Sequence, residues 1–155
     1  PTWIIFNIGD ARVYLLRDDM LSQVTRDHSR VQILIETGEL TPEQARRDPR
    51  RNIVTRALGG GIADSAVPDL YCVPVAVGDR LLVCSDGLSD ELDDEAIATV
   101  LAAGYTAQRT AELLVAASLE GGGHDNTTAV VVDSAETPAP APAVVPGDAS
   151  TQEAL

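Results

Sequence analysis

The stretch Leu81-Leu82-Val83-Cys84-Ser85-Asp86-Gly87-Leu88 carries an apolar run straight into an aspartate followed by glycine. A second aspartate, in Gly122-Gly123-His124-Asp125-Asn126, stands just before the apolar run Ala129-Val130-Val131-Val132. Placed so, Asp86 and Asp125 sit at the edges of adjacent strands with their carboxylates turned outward, as a site for a hard cation requires. The block Gly9-Asp10-Ala11-Arg12 repeats the chemistry, with an aspartate beside glycine at a strand end. A lone Ser-Asp-Gly is common in turns, where the aspartate satisfies its own backbone, so the pairing of Asp86 with Asp125 is what informs.

Around these blocks the pattern alternates between strand and helix. Residues 3–8 and 11–17 read as strands joined at Gly9-Asp10; the turn Asp18-Asp19 and a strand over 21–25 complete an opening β-meander. The character then changes. Ser29 caps a helix carrying Ile33, Leu34 and Ile35 and ending at Gly38. Thr41-Pro42-Glu43-Gln44 is a capping box with proline at the first helical position, and Asp48-Pro49 stops that second helix. Residues 26–56 thus form a charged helical flap inserted between strand-rich segments. Strands resume over 69–75 and 80–84, about the turn Val77-Gly78-Asp79. Asp93 caps a helix over 94–103 with Ile97, Val100 and Leu101 on one face. Thr106 caps another, with Ala111, Leu114, Val115 and Ser118 at helical spacing, and a last strand covers 127–133. Strands at both ends and helices in pairs predict an α+β fold, and the Pro/Ala-rich residues 135–155 predict a disordered tail.

The 155 residues have room for one domain, and 45% hydrophobic content is ample for a core. A net charge of -13 repels nucleic acid and anionic membrane. There is no lysine; all 11 basic residues are arginine, seven of them between residues 26 and 56. This cluster has two readings: a solvated, salt-bridged helical face, or contact with phosphate or acidic peptide, for which a planar guanidinium is suited. On the second reading Arg46, Arg47, Arg50 and Arg51 are the substrate-binding candidates. Cys72 and Cys84 lie in apolar runs at no metal-binding spacing and are expected to be buried free thiols. No apolar stretch is long enough to span a membrane and no charged-then-apolar leader opens the chain, so the default expectation is cytoplasmic. Pro1-Thr2 runs at once into an apolar strand, as if the chain began within a domain.

Several chemistries lack their residues. Gly59-Gly60-Gly61 precedes no Gly-Lys-Ser or Gly-Lys-Thr, no Gly-x-Ser-x-Gly elbow occurs, and His28 and His124 have no zinc-site spacing. His28 is expected to stabilise the entry to the insertion, and His124 to be a surface loop residue.

Taken in order, GDxR at 9–12, TRDHS at 25–29, TRALGG at 55–60, SDGL at 85–88 and GGxDN at 122–126 form a series. That series resembles the C-terminal half of the bacterial type of PP2C (PPM) metal-dependent protein serine/threonine phosphatases, over about residues 3–133. The resemblance implies a two-sheet antiparallel β-sandwich flanked by helices, with residues 1–134 supplying part of it and the N-terminal half absent. It implies that Asp86 and Asp125 ligate one of two core Mn2+ or Mg2+ ions, and that Asp10 lies near an additional, weaker third ion. The implied reaction is hydrolysis of protein phosphoserine and phosphothreonine by a metal-bound hydroxide. Implied partners are phosphorylated proteins, including Ser/Thr kinases or their targets. Two departures stand out: Ala11 replaces the commoner serine of GDxR, and the family's bridging aspartate-glycine pair, phosphate-contacting arginine and general-acid histidine have no counterpart here. No catalytic residue beyond the metal ligands is therefore expected, and the chain alone is expected to be inactive. The alternative is a catalytically inactive relative that recruits a partner through its arginine-rich insertion. A carboxylate-metal nuclease conflicts with the acidic charge.

Overall fold

The computed structural model describes residues 1–59 and 67–135. The predicted tail, apart from Ala135, and Gly60-Gly61 of the glycine run lie outside the described residues. Six strands and five helices follow one another as β1 (Thr2–Asn7), β2 (Arg12–Arg17), β3 (Met20–Gln23), α1 (Arg30–Glu36), α2 (Pro42–Ala45), β4 (Asp69–Pro74), β5 (Arg80–Cys84), α3 (Asp86–Ser89), α4 (Asp94–Ala102), α5 (Ala107–Gly121) and β6 (Ala129–Asp133).

The strands divide into two antiparallel sheets: β1 with β4, and a four-stranded sheet in the order β3-β2-β5-β6. This bears out the α+β class and corrects the opening meander. β1 leaves β2 and pairs instead with β4, Trp3 opposite Val73 and Phe6 opposite Leu70. Period-2 alternation identifies a strand but not its neighbour, and Gly9, at φ 101°, turns the chain from one sheet into the other. Only β2 and β3 form the expected tight hairpin, with Asp18 and Asp19 both at positive φ as a primed turn requires.

Alternation along β2 and β5 gives the larger sheet two apolar faces. Tyr14, Leu16, Leu82 and Cys84 meet Leu88, Leu92, Ile97, Leu101 and Leu114 in one core under the helices. Val13, Leu15 and Leu81 face the smaller sheet and pack against Trp3, Ile5, Val24 and Val73. The second core is only partly covered, since two strands cannot span four: Val83 and Val130, farther along the same face, are 42% and 51% exposed. The outer face of the smaller sheet also shows apolar side chains, with Ile4, Phe6 and Leu70 exposed. Cys72 lies on it opposite Ile4, so only Cys84 is a buried thiol.

The helices form where their caps predict. The Asp93 side chain accepts from Ala96 N, and Asp94 and Glu95 favour the same helix start electrostatically. Ile97 and Leu101 then bury one stripe of α4. α5 buries Thr110, Leu114 and Ser118, each four residues from the last, so the end of that stripe is polar. Ser29 caps α1, and Thr41 with Gln44 forms the full capping box of α2, but α2 lasts only to Ala45. At the opposite end of β5, Asp79 is buried and accepts from Arg17, Trp3 Nε1 and Ala76 N, so both of its oxygens have donors.

Candidate metal-facing site

One row of the larger sheet, Arg12–Cys84–Ala129, sets the site. Asp10 stands two residues before Arg12, Asp86 two after Cys84 and Asp125 four before Ala129, so all three aspartates gather beyond the same end of three adjacent strands. Asp10 and Asp86 line one cavity of about 280 Å3, whose other walls include Asp90 and Asp94 and the insertion residues Ile35, Ala45, Arg46 and Arg51. Asp125 does not line it and is exposed. Among the described residues no three or more His, Cys, Asp or Glu side chains converge as a metal cluster.

The loops that carry Asp86 and Asp125 are fastened to each other. Ser85 N donates to Thr128 O, Thr128 N donates to Ser85 Oγ, and Ser85 Oγ donates to Asn126 O. Ser118, at the polar end of the α5 stripe, donates to Gly87 O at 2.9 Å and lies 2.8 Å from the Thr127 hydroxyl, which itself reaches Gly87 O. Gly87 is needed because a Cβ there would stand 2.5 Å from Asn126 O. α3, missed in the sequence reading, begins at Asp86; its four residues are too short to register as a periodic pattern.

Asp86 and Asp125 are held alike. Asp86 Oδ1 accepts from Gly87 N at 2.9 Å and Asp125 Oδ1 accepts from Asn126 N at 2.7 Å. Neither Oδ2 has a hydrogen-bond partner among the described residues. Burial raises the Asp10 carboxyl above its ordinary pKa, and the negative charge of Asp86 raises it further. A divalent cation would offset this like-charge repulsion.

A polar scaffold supports Asp10. The Gly9 N–H donates to His28 Nδ1 at 3.1 Å, and the His28 N–H donates to Gly9 O at 2.9 Å. With Nδ1 accepting, the ring proton lies on Nε2, 3.1 Å from Asp69 Oδ2, and Arg56 holds the other oxygen of Asp69 at 2.6 Å. His28 thus does stabilise the entry to the insertion. The GDxR arginine does not bond Asp10. Arg12 grips both oxygens of Asp27 and donates to Tyr14 Oη, while the buried Tyr14 hydroxyl is pushed up to about 12. His124 is a surface residue as expected and bonds Glu91 through Nδ1 at 2.7 Å.

The structure divides the four insertion arginines. Arg46 donates to the Ser89 and Leu92 carbonyls, Arg50 pairs with Asp48 beside it, and Arg51 lies in the cavity wall 3.8 Å from Asp90. Arg47 is exposed, with no side-chain partner among the described residues. The missed residues Asp90, Ser118 and Thr127 had no motif to announce them; Asp90 lies one helical turn beyond Asp86, and only folding brings Ser118 and Thr127 to the Asp86 loop.

No family model matches the chain. It is 44% identical over 129 residues to the serine/threonine protein phosphatase PstP of Mycobacterium tuberculosis, covering 83% of this chain and 24% of PstP. It is 38% identical over 130 residues to the serine/threonine phosphatase Stp of Listeria monocytogenes, covering 84% of this chain and 51% of Stp. The crystal structure of the PstP catalytic domain with two manganese ions superposes with a TM-score of 0.77 at 40% identity, over 87% of this chain and 54% of that one. The chain spans about a quarter of PstP and about half of the Listeria protein. With this identity along most of its length and the same fold, the chain is similar to part of the bacterial serine/threonine protein phosphatases of the PP2C (PPM) type.

Proposed function

We propose that this chain is the C-terminal portion of a phosphatase domain that hydrolyses phosphoserine and phosphothreonine in proteins with Mn2+ or Mg2+. The observation that carries this reading is the gathering of Asp10, Asp86 and Asp125 beyond one end of β2, β5 and β6. Such ions, when bound, supply Lewis acidity that polarises phosphoryl oxygens and acidifies water. The chain's own part is to hold them. Asp86 and Asp125, each with an Oδ2 that has no partner among the described residues, would hold a core ion, and Asp10 would lie near the additional third one. The loop bonds through Ser85, Ser118 and Thr127 keep the two carboxylates in register, so charge is preorganised rather than assembled at each turnover.

Substrate contact falls to the insertion. Of the four candidate arginines, Arg47, with no side-chain partner among the described residues, and Arg51, with only the long pair to Asp90, are those left to meet an extended phosphoprotein; Arg46 donates from Nη2 to backbone and Arg50 is paired with Asp48. The partners are phosphorylated proteins, Ser/Thr kinases and their targets among them, in a cytoplasmic setting. No helix among the described residues is long and apolar enough to cross a membrane.

Mn-dependent hydrolysis of a phosphopeptide, assayed with the full-length protein and with residues 1–155 alone, tests this reading. Turnover by the former and none by the latter is expected, since the chain lacks a converged metal cluster among its described residues. Turnover by the monomeric 155-residue chain would overturn the partial-domain reading; none from the full-length protein would favour a binding role for the insertion.

A further inference from the structure

The insertion is anchored at its base, where His28 N donates to Gly9 O at 2.9 Å and Arg56 donates to Asp69 at 2.6 Å. Just beyond, at the neck, its two arms are tied to each other: Ser29 bridges Val54, Arg30 N donates to Ile53 O at 2.8 Å, and Thr55 N donates to His28 O at 2.7 Å. Beyond the neck, residues 31–52 reach the body through one strong side-chain contact. Arg46, at the end of α2, donates from Nη2 to Ser89 O at 3.2 Å and to Leu92 O at 3.1 Å. Among the described residues these are the two hydrogen bonds between 31–52 and anything outside 26–56. Arg51 adds only the long 3.8 Å pair with Asp90.

The receiving carbonyls lie on the segment that leaves α3, the turn that begins with Asp86. Neither accepts another hydrogen bond among the described residues, and Ser89 and Leu92 are both buried. A charged donor that satisfies two such carbonyls makes a strong contact. The helices it secures are seven and four residues long, far below the length at which a helix holds by itself, so their placement depends on tertiary contact.

We propose that Arg46 is a latch: a positioning residue that closes the insertion onto the Asp86 segment and sets the width of the cavity between them. Its Nη2 is committed to the chain's own backbone, and the residue acts by position rather than as a phosphate ligand. The latch stands apart from the phosphatase reading; its kinetic consequence, control of access for an extended phosphoprotein, rests on that reading.

Hydrogen exchange on the full-length protein, with Arg46→Ala, Arg46→Met and Arg47→Ala, tests it. Amides of residues 31–45 should exchange about ten-fold faster in both Arg46 variants, the scale of losing a charged hydrogen bond, and at the parent rate in Arg47→Ala. Arg46→Met keeps the length of the stem without its donors, so parent-like exchange in that variant would assign the effect to packing and overturn the latch. Unchanged exchange in a folded Arg46→Ala protein would also overturn it. With Mn2+, KM should rise several-fold more for a phosphopeptide than for a small aryl phosphate. A rise in KM without faster exchange would make Arg46 a substrate contact instead, and absence of hydrolysis in every version would count against the phosphatase reading alone.

Discussion

The sheet end that carries Asp10 and Asp86 and the 26–56 insertion face each other across one cavity and are built on opposite plans. At the sheet end the hydroxyls of Ser85, Ser118 and Thr127 bind backbone of the neighbouring loop, and Gly87 allows main chain to approach main chain. The insertion has a narrow neck and two short helices, and beyond the neck Arg46 is the residue that hydrogen-bonds to the body among the described residues. Many short contacts hold position against thermal motion; few long ones permit opening at small cost. A metal centre needs the first plan, since ligand placement must not drift, and a substrate-admitting flap needs the second.

Gly87→Ala should break the contrast most, because its Cβ would meet Asn126 O and drive the two loops apart. A loss of about 3 kcal/mol in denaturant melts, with nearly complete loss of Mn-dependent turnover, is expected. Native stability in this variant would show that the loops are not tightly apposed. Next, Asp86→Asn and Asp125→Asn in the full-length protein should each cut turnover on the order of a hundredfold while melting like the parent, since each removes one charge facing the cation. Activity within a few-fold of the parent would remove that residue from the ligand set. Ser118→Ala should cost about 1–2 kcal/mol, the scale of leaving the buried Gly87 carbonyl underbonded, and should weaken apparent Mn2+ affinity as the Asp86 loop loosens. Unaltered metal titration would confine Ser118 to stability.

On the flap side, Arg47→Gln with Arg51→Gln should raise KM for a phosphopeptide several-fold and alter kcat little, as loss of a ground-state contact does. Equal change with an aryl phosphate would make the pair part of the general field. The smallest effect is remote from both regions. Arg17 beside Asp79 holds that buried carboxyl well below the usual carboxylate range, so its stabilisation is full above the unfolded-state pKa near 4 and declines as pH falls toward the folded value. Acid melts of the parent should show this decline, and Asp79→Asn should flatten it; an identical acid limb in both would exclude Asp79 from the pH dependence.

Much of this was legible in residue order. Hairpin turn, caps and amphipathic stripes are decided within a few neighbours by local sterics and hydrogen bonding, so β2–β3, α1, α4 and α5 fall where Asp18-Asp19, Ser29, Asp93 and Thr106 place them. The family resemblance, too, was readable from five short motifs. Partner choice was not: β1 alternates perfectly well for a meander, yet it joins β4 across more than 60 residues, because only the whole apolar arrangement decides which sheet face needs cover. The four arginines looked equivalent for the same reason. The sequence by itself determined which side chains could hold a cation or a phosphate, since that is residue chemistry. Tertiary structure alone decided that Asp10, Asp86 and Asp125 share one sheet end and that Arg46 faces two carbonyls, because those distances arise from packing between segments remote along the chain.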